Sequence, residues 1–359
     1  MVIPMLPRFE LPAFAAEEEE IVIDLPVYPG GKPSKVLEYD CGNGVTHENF
    51  VPKSYMTVVT QTNAAQFLEY CDALEGKGFT ANGPVKQIAS DADGDPNLFA
   101  SYTDKDSKYK VYTYYLPFYQ ETRIIVDTQE DTVEGFVYNP QTGKTVEPMI
   151  CMWGLSVSEN GYDITTTTEY STGKRNCGAL IVIRMPDNSL FINDGGDLEQ
   201  WSDEACDAFL AFCRELTGTA EGEKMVINTW FLSHAHSDHF RGFPRFMSMY
   251  HDQFDLKNIM YNIDIERTNT SRDIHQVMQM VSSYYTDVRY YKPHTGETII
   301  IDGVTIDVLY TVEDRYLPDA QGNLITDYPF DKNGNKVQSS DYGGTYRDYF
   351  YEKDDEGHT

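Results

Sequence analysis

The chain has 359 residues, 41% hydrophobic and 24% charged, which is long enough for two domains with their own cores. It has no uninterrupted apolar run of about 18 residues, which predicts a soluble protein without a membrane-spanning helix. Its 57 acidic and 28 basic residues give a formal net charge of −29. Because such a surface repels polyanions, we expect neither nucleic acid nor an anionic membrane as partner.

Residues 1–34 are predicted to form an acidic tail rich in Pro and Gly. Residues 1–16 end in the small residues typical of a signal-peptide cleavage site, but they lack a positive start, and Arg8, Glu10 and prolines interrupt the apolar stretch. The six cysteines include no Cys-x-x-Cys spacing, so nothing demands an oxidising compartment. We therefore expect a cytoplasmic protein. A secreted protein is the alternative, if residues 1–16 are the remnant of a signal peptide.

Residues 35–130 are predicted to form a small α+β domain of unknown role. Apolar periodicity predicts a helix at 64–74, and β-branched and aromatic runs predict strands at 54–60, 97–103, 108–115 and 122–127. Alternating tyrosines in these strands could bind carbohydrate or a partner, but such alternation favours ordinary sheet packing. A polar stretch with a turn at 139–143 predicts a linker at 131–146, followed by a second domain at 147–359.

The second domain alternates strand and helix patterns. After a strand at 149–155, two β-branched runs flank a turn of Pro, Asp and Asn at 185–188, which predicts a hairpin. Three helices and four further strands are predicted after it, two of the strands forming a hairpin. The helices are at 205–216, from about Pro244 to Tyr250, and at 274–284, and the strand segments are at 225–232, at 259–263 and in a closing hairpin over 297–310.

Three histidines and a carboxylate follow the predicted strand 225–232, as His-x-His-x-Asp-His over 234–239. Imidazole nitrogens and carboxylate oxygens are the usual ligands of zinc and related metals. Residues two apart on an extended chain project to the same side, so His234 and His236 can bind one ion. If the backbone turns after them, Asp238 and His239 can bind a second. A polar loop with solvated histidines is the alternative reading.

This motif and its setting resemble the metallo-β-lactamase fold superfamily of metallohydrolases. A second resemblance is Asp194-Gly195-Gly196 at the end of the predicted hairpin, where that family has an Asp-Gly-Gly strand end. The resemblance implies an α+β fold, a metallo-β-lactamase-like αββα sandwich with metals at the sheet edge. Two glycines would let the backbone pass close to the metal loop, and Asp194 would orient a ligand histidine. An aspartate that only caps a tight turn is the alternative for Asp194.

The resemblance also implies a ligand set for a binuclear site. His234 and His236, with His358 as third ligand, would hold the first ion, while Asp238 and His239 would hold the second. His358 enters because Gly-His-Thr at 357–359 is similar to the segment that carries a third histidine in many family members. A solvated terminal histidine is the alternative. The metal implied is Zn²⁺, two ions, with Mn²⁺ or iron as alternatives. The remaining histidines look isolated and are predicted to be surface or core residues: His47, His251, His275 and His294.

The implied activity is hydrolysis of an ester-type bond, in a small phosphoester or carboxylic ester. Bound metal would lower the pKa of water from about 15.7 toward about 7, so that a metal-bound hydroxide attacks the substrate. Asp238 is the candidate catalytic proton shuttle as well as a ligand. Two other functions stay open: a non-catalytic metal-containing binding module, and a flavin-partnered iron oxidoreductase on the same scaffold.

The end of the chain departs from the family pattern. After Tyr310 no further strand–helix unit is predicted, and residues 311–357 have the Asp, Gly and Asn content of a loop. The resemblance therefore implies a chain truncated within the second half of the sandwich, and this puts the activity of the fragment itself in doubt.

Overall fold

A computed structural model describes residues 23–40, 53–90, 96–107, 109–128, 137–138, 142–154, 178–234, 237–263, 271–318 and 321–325. Its helices are α1 Ala64–Gly76, α2 Asp203–Thr217, α3 Ser237–Phe240, α4 Gly242–Tyr250 and α5 Ser271–Tyr284. Its strands up to the second predicted domain are β1 Lys32–Pro33, β2 Leu37–Asp40, β3 Lys53–Thr60, β4 Thr80–Ala81, β5 Lys86–Ser90, β6 Pro96–Thr103, β7 Tyr109–Leu116, β8 Glu121–Thr128 and β9 Val137–Tyr138. The later strands are β10 Met149–Met152, β11 Ile181–Arg184, β12 Leu190–Asn193, β13 Met225–Leu232, β14 Phe254–Tyr261, β15 Arg289–Tyr291, β16 Thr298–Ile301, β17 Val304–Asp307, β18 Leu317–Pro318 and β19 Leu324–Ile325.

The N-terminal part is an antiparallel sheet in the order β1-β3-β8-β7-β6-β4, with β2 paired to β3 and β5 paired to β6. Helix α1 begins at a capping box between Asn63 and Gln66 and packs on one face of this sheet. Because side chains alternate along a strand, Val111 and Tyr115 of β7 pack on the α1 side, while Tyr112 and Tyr114 form a core on the other. The predicted helix and four predicted strands of this region are confirmed.

The second sheet has the order β10-β11-β12-β13-β14-β15. Strands β10 to β12 are antiparallel neighbours, and β12 to β15 are parallel neighbours. Parallel neighbours require crossover connections, which α2, α3 with α4, and α5 provide. These helices bury an apolar stripe against one face of the sheet, including Phe209, Phe246 and Met278.

A three-stranded sheet, β17-β16-β9, covers the opposite face of the six-stranded sheet. Ile299 and Ile301 of β16 pack against Phe191 and Met260. This region therefore has three layers: helices, a six-stranded sheet and a small sheet. The predicted α+β class is confirmed. In the described part of the chain, no helix combines the length and apolar character that crossing a membrane requires.

Several predicted boundaries differ from the structure. Helix α4 begins at Gly242, two residues before Pro244, and β14 begins at Phe254 instead of residue 259. Strand β9 falls inside the predicted linker and pairs in parallel with β16. The stretch after Tyr310, predicted as loop, contains a short 3-10 helix at Val312–Arg315 and the β18–β19 pair. The predicted division into two domains stays a prediction.

A buried charge cluster joins β8 to residues 292–316. The Nε2 of His294 lies 2.6 Å from Asp127 Oδ2, and its Nδ1 lies 2.8 Å from Glu313 Oε1. Lys292 donates to Asp127 Oδ1 over 2.9 Å and also contacts Ser54. All four charged groups are buried. The sequence predicted His294 as a surface or core residue: the core position is confirmed, but its apparent isolation was wrong because both partners are distant in sequence.

Arg123 of β8 adds further contacts between β8 and residues 292–316. Its Nη2 donates to the backbone oxygen of Tyr316 over 2.7 Å, and its Nε lies 3.9 Å from the Asp314 carboxylate. The Tyr114 hydroxyl donates to Asp314 over 3.0 Å. Burial and the neighbouring charge of Asp314 hold the pKa of Tyr114 well above its usual value, so the hydroxyl keeps its proton. Residues predicted to belong to two domains thus share one buried polar interface.

Candidate metal centre

The candidate site lies where two parallel strands of the six-stranded sheet end. Strands β12 and β13 pair with Asn193 beside Phe231, so their carboxyl ends lie at the same edge. Ligands commonly bind at this edge of an open parallel sheet. Asp194 follows β12 directly, and Ser233 and His234 follow β13.

The backbone of Asp194 adopts a left-handed conformation with φ of 59°. Aspartate and asparagine are among the few residues other than glycine that adopt it readily. Two contacts with β13 hold this conformation: Asp194 N donates to Phe231 O over 2.8 Å, and Trp230 Nε1 donates to Asp194 O over 2.8 Å. Only 2% of the residue is exposed. The sharp turn directs the carboxylate at the histidine motif.

Three hydrogen bonds converge on the Asp194 carboxylate. Oδ1 accepts from the backbone nitrogen of Ser233 over 2.8 Å. Oδ2 accepts from Ser233 Oγ over 2.8 Å and lies 2.9 Å from His239 Nδ1. Because an ionised carboxylate can only accept, His239 carries a proton on Nδ1, and a neutral ring has its lone pair on Nε2. This is the contact that the sequence predicted for an aspartate that orients a ligand histidine. That role stays a prediction.

The motif side chains described by the structure lie close together. The rings of His234 and His239 have centroids 4.0 Å apart, and His239 Nε2 lies 3.9 Å from Asp238 Oδ2. Two ligand atoms of one tetrahedral zinc are separated by about 3.4 Å, so a small side-chain movement would let both bind one ion. Burial lowers the pKa of His239, but the hydrogen bond and charge of Asp194, with the charge of Asp238, raise it above its ordinary value. A cation that binds Nε2 must displace the proton there.

Glycines permit the close approach of the segments that carry these side chains. Gly195 N donates to His239 O over 2.5 Å, and Gly242 N donates to Gly196 O over 2.9 Å. A Cβ on Gly242 would lie 2.0 Å from Gly195 O, and one on Gly178 would lie 1.9 Å from Asp238 O. The sequence predicted the close approach for Gly195 and Gly196. Gly178 and Gly242 were missed, because their need for a hydrogen side chain depends on neighbours distant in sequence.

Some of the predicted histidines lie outside the residues that the structure describes. His236 and His358 lie outside the described residues, as does His47, and the side chain of His275 is likewise not described. Within the described ranges, which omit His236, there is no group of three His, Cys, Asp or Glu side chains arranged to hold a metal. His251 stacks on Tyr284 with centroids 3.9 Å apart, as expected for a residue outside the site.

The chemistry of the described donors fits a divalent cation. An imidazole whose Nδ1 is held by a carboxylate presents Nε2 as a ligand, and Asp238 supplies a carboxylate beside it. The sequence did not predict the contacts of Ser233. The signal that could have indicated them is its position directly before the motif, at the end of a strand. No protein-family model, curated protein or solved structure matches the chain.

Proposed function

We propose that this chain belongs to the metallo-β-lactamase fold superfamily and is a metal-dependent hydrolase of an ester-type bond in a small molecule. The observation that carries the proposal is the 2.9 Å contact between Asp194 Oδ2 and His239 Nδ1. It joins the two motifs, 45 residues apart, that carry the resemblance. An aspartate that only capped its own turn would not need a hydrogen bond to the last histidine of the motif.

The layer order supports the same scaffold. Helices on one face of a mixed six-stranded sheet and a three-stranded sheet on the other give the layer order α, β, β that is expected for three layers of an αββα sandwich. The candidate site lies at the edge of the six-stranded sheet, where this scaffold would hold its metals.

His234, His236 and His358 would hold a first cation, and Asp238 and His239 a second. Bound Zn²⁺, or Mn²⁺ or iron in its place, supplies a Lewis acid and lowers the pKa of water toward about 7. The chain's own part is to orient these donors. Asp194 holds His239 through Nδ1 and leaves Nε2 as the ligand atom, and Asp238, whose side chain is 24% exposed, can exchange a proton at Oδ2 with a substrate.

The net charge of the chain restricts the class of substrate. A net charge of −29 repels nucleic acids and other long polyanions, which disfavours them as substrates. The partial exposure of Asp238 and His239 gives a small molecule access to this edge.

Metal content is the first test. The purified chain is dialysed against Zn²⁺, Mn²⁺ or Fe²⁺ and analysed by elemental mass spectrometry, together with His236→Ala and His239→Gln. His251→Gln is the matched control, since it removes an imidazole outside the site. We expect one or two equivalents in the wild type and the control, and one fewer in the variant of each site that the wild type fills.

Hydrolysis of a nitrophenyl acetate and a bis-nitrophenyl phosphate by the metal-loaded chain then distinguishes a hydrolase from a binding module. A folded chain that binds none of the three metals would overturn the proposal. Metal binding without turnover of either ester would favour the non-catalytic module.

A further inference from the structure

We propose that Ser233 is a positioning residue that extends the orienting effect of Asp194 to His234, so that one carboxylate sets the ring tautomer of two motif histidines. Its importance for metal binding rests on the proposed function. The hydrogen-bond arrangement itself is a property of the chain without metal.

The direction of each hydrogen bond follows from the number of protons. Ser233 Oγ lies 2.8 Å from Asp194 Oδ2 and 2.9 Å from His234 Nδ1. An ionised carboxylate oxygen cannot donate, so the short contact with Asp194 needs the hydroxyl proton. The hydroxyl has only one proton, and it can therefore meet His234 Nδ1 only as an acceptor. His234 must then carry its proton on Nδ1.

The opposite arrangement is unfavourable. If the hydroxyl donated to His234 Nδ1, lone pairs of Ser233 Oγ and Asp194 Oδ2 would face each other at 2.8 Å. Asp194 is 2% exposed, so little water is present to screen that repulsion. The backbone also fixes the serine, because Ser233 N donates to Asp194 Oδ1 over 2.8 Å and thereby holds Oγ beside the other carboxylate oxygen.

Both rings then present Nε2 as the unprotonated nitrogen that can bind a metal. His239 donates from Nδ1 directly to Asp194, and His234 donates from Nδ1 through Ser233, so each neutral ring has its lone pair on Nε2. A histidine binds a metal through an unprotonated nitrogen, and the hydrogen bond of the other nitrogen decides which one that is. Ser233 therefore prepares His234 for a cation before the cation arrives.

The test compares Ser233→Ala, which removes the hydroxyl, with Ser233→Thr, which keeps it. Ser248→Ala is the matched control, since its exposed hydroxyl donates to Arg245 O within helix α4. The first measurement is the imidazole ¹⁵N spectrum of the metal-free proteins at a pH above the histidine titration, with signals assigned through His234→Gln and His239→Gln. The second is the Zn²⁺ dissociation constant from competition with a chromogenic chelator.

We expect wild type, Ser233→Thr and Ser248→Ala to show the Nδ1–H tautomer of His234, and Ser233→Ala to show a mixture while His239 is unchanged. We also expect Ser233→Ala to weaken Zn²⁺ binding by about 10-fold, the lower end of the range for residues that orient ligands. An Nε2–H tautomer of His234 in the wild type would overturn the proposal. So would an Nδ1–H tautomer of His234 that stays unchanged in Ser233→Ala. If no protein binds Zn²⁺, the proposed function fails while the tautomer result still decides the role of Ser233.

Discussion

Asp194 combines an unusual backbone conformation with a carboxylate that is hydrogen-bonded to Ser233 and His239. The left-handed φ of 59° is tolerated by asparagine as well as aspartate, whereas most other residues would add strain. Asparagine therefore retains the turn and removes only the charge. This separates the structural contribution of the residue from its effect on the histidines.

We predict that Asp194→Asn folds but binds Zn²⁺ about 10- to 100-fold more weakly than the wild type. With Oδ1 still accepting from Ser233 N, the new amide group faces His239 Nδ1 and can only donate to it. The ring must then carry its proton on Nε2, the nitrogen that would bind metal. Competition with a chelator measures the affinity, and circular dichroism checks the fold.

Asp302→Asn is the control for this substitution, because Asp302 also has a positive φ, of 46°, but lies in the turn between β16 and β17. We expect its Zn²⁺ affinity to equal that of the wild type. Equal affinity in Asp194→Asn would show that the carboxylate does not orient the site.

Among the elements, the contact between the β12 loop and helix α4 determines where the site can form. Gly242 begins α4, and its N–H bonds to Gly196 O over 2.9 Å. Trp201 Nε1 donates to Gly195 O over 2.6 Å in the same place. An added methyl group has no room here, since a Cβ would lie 1.9 Å from Trp201 Nε1.

We predict that Gly242→Ala destabilises the protein by about 1–3 kcal/mol, the usual cost of overpacking. It should also weaken Zn²⁺ binding, because the loop that carries Asp194 must move away from the helix. Gly76→Ala at the end of α1 is the control: among the described residues, no atom beyond its chain neighbours and the helix backbone lies within 4 Å of its Cβ position, so stability should hold or rise slightly. Urea denaturation measures both variants. A stable Gly242→Ala with normal metal affinity would mean that the loop and helix are not tightly coupled.

Elements with a strong local pattern could be predicted from the sequence, and those defined by a distant partner could not. Runs of β-branched, aromatic and other apolar residues identified β7 and β13, and apolar periodicity identified α1 and α2. The two-residue strands β1, β4 and β9 were missed, since a pair of residues has no period and is a strand only through its neighbour.

The candidate site shows the same division. The motif and Asp194 were visible because their spacing is local to each segment. The link from Ser233 to Asp194 spans 39 residues and depends on β12 and β13 being adjacent. His294 looked isolated for the same reason, since Asp127 lies 167 residues away.

At the scale of the whole molecule, the buried cluster around His294 makes stability depend on pH. Burial lowers the pKa of His294, but the carboxylates of Glu313 and Asp127 raise it to about 10. Burial raises the pKa of Asp127, but Lys292 and His294 lower it to about 2. The first shift stabilises the fold fully below about pH 6.5 and is lost as the pH rises through 10. The second stabilises it above about pH 4 and is lost as the pH falls toward 2.

We therefore predict that stability is highest between about pH 4 and 6.5 and falls by up to about 1.4 kcal/mol per pH unit between pH 7.5 and 9 as a result of His294. Urea denaturation at several pH values measures the slope. His294→Gln should lower stability by about 3–5 kcal/mol near pH 6, since it leaves buried carboxylates without their cation, and should flatten the alkaline slope.

His251→Gln, at a histidine outside the cluster, should keep the wild-type slope. In the wild-type protein, the ¹H NMR signal of the His294 ring should not titrate below about pH 9. A ring that titrates near pH 6.5 would show that the cluster does not hold the proton.

The same cluster predicts how the molecule behaves after cleavage. We expect limited proteolysis within the predicted linker, 131–146, to yield two fragments that co-elute on gel filtration, because Arg123, Asp127 and their partners hold the two parts together. In His294→Gln the fragments should separate at a lower urea concentration. Fragments of the wild type that separate in buffer alone would contradict this view of the interface.

The distance in sequence between Asp127 and Lys292 also has a consequence for synthesis on the ribosome. The 165 residues between them take roughly 8–33 s to translate at about 5–20 residues per second. During that interval one face of the N-terminal sheet, with Met56, Val58 and Tyr112, has no cover from its later partners. Arg123 and Asp127 lie on that same face, and water solvates their charges until residues 292–316 are synthesised and pack against them. Charged side chains on an exposed sheet oppose association with other chains. The residues that hold the finished molecule together can thus protect the nascent one from aggregation.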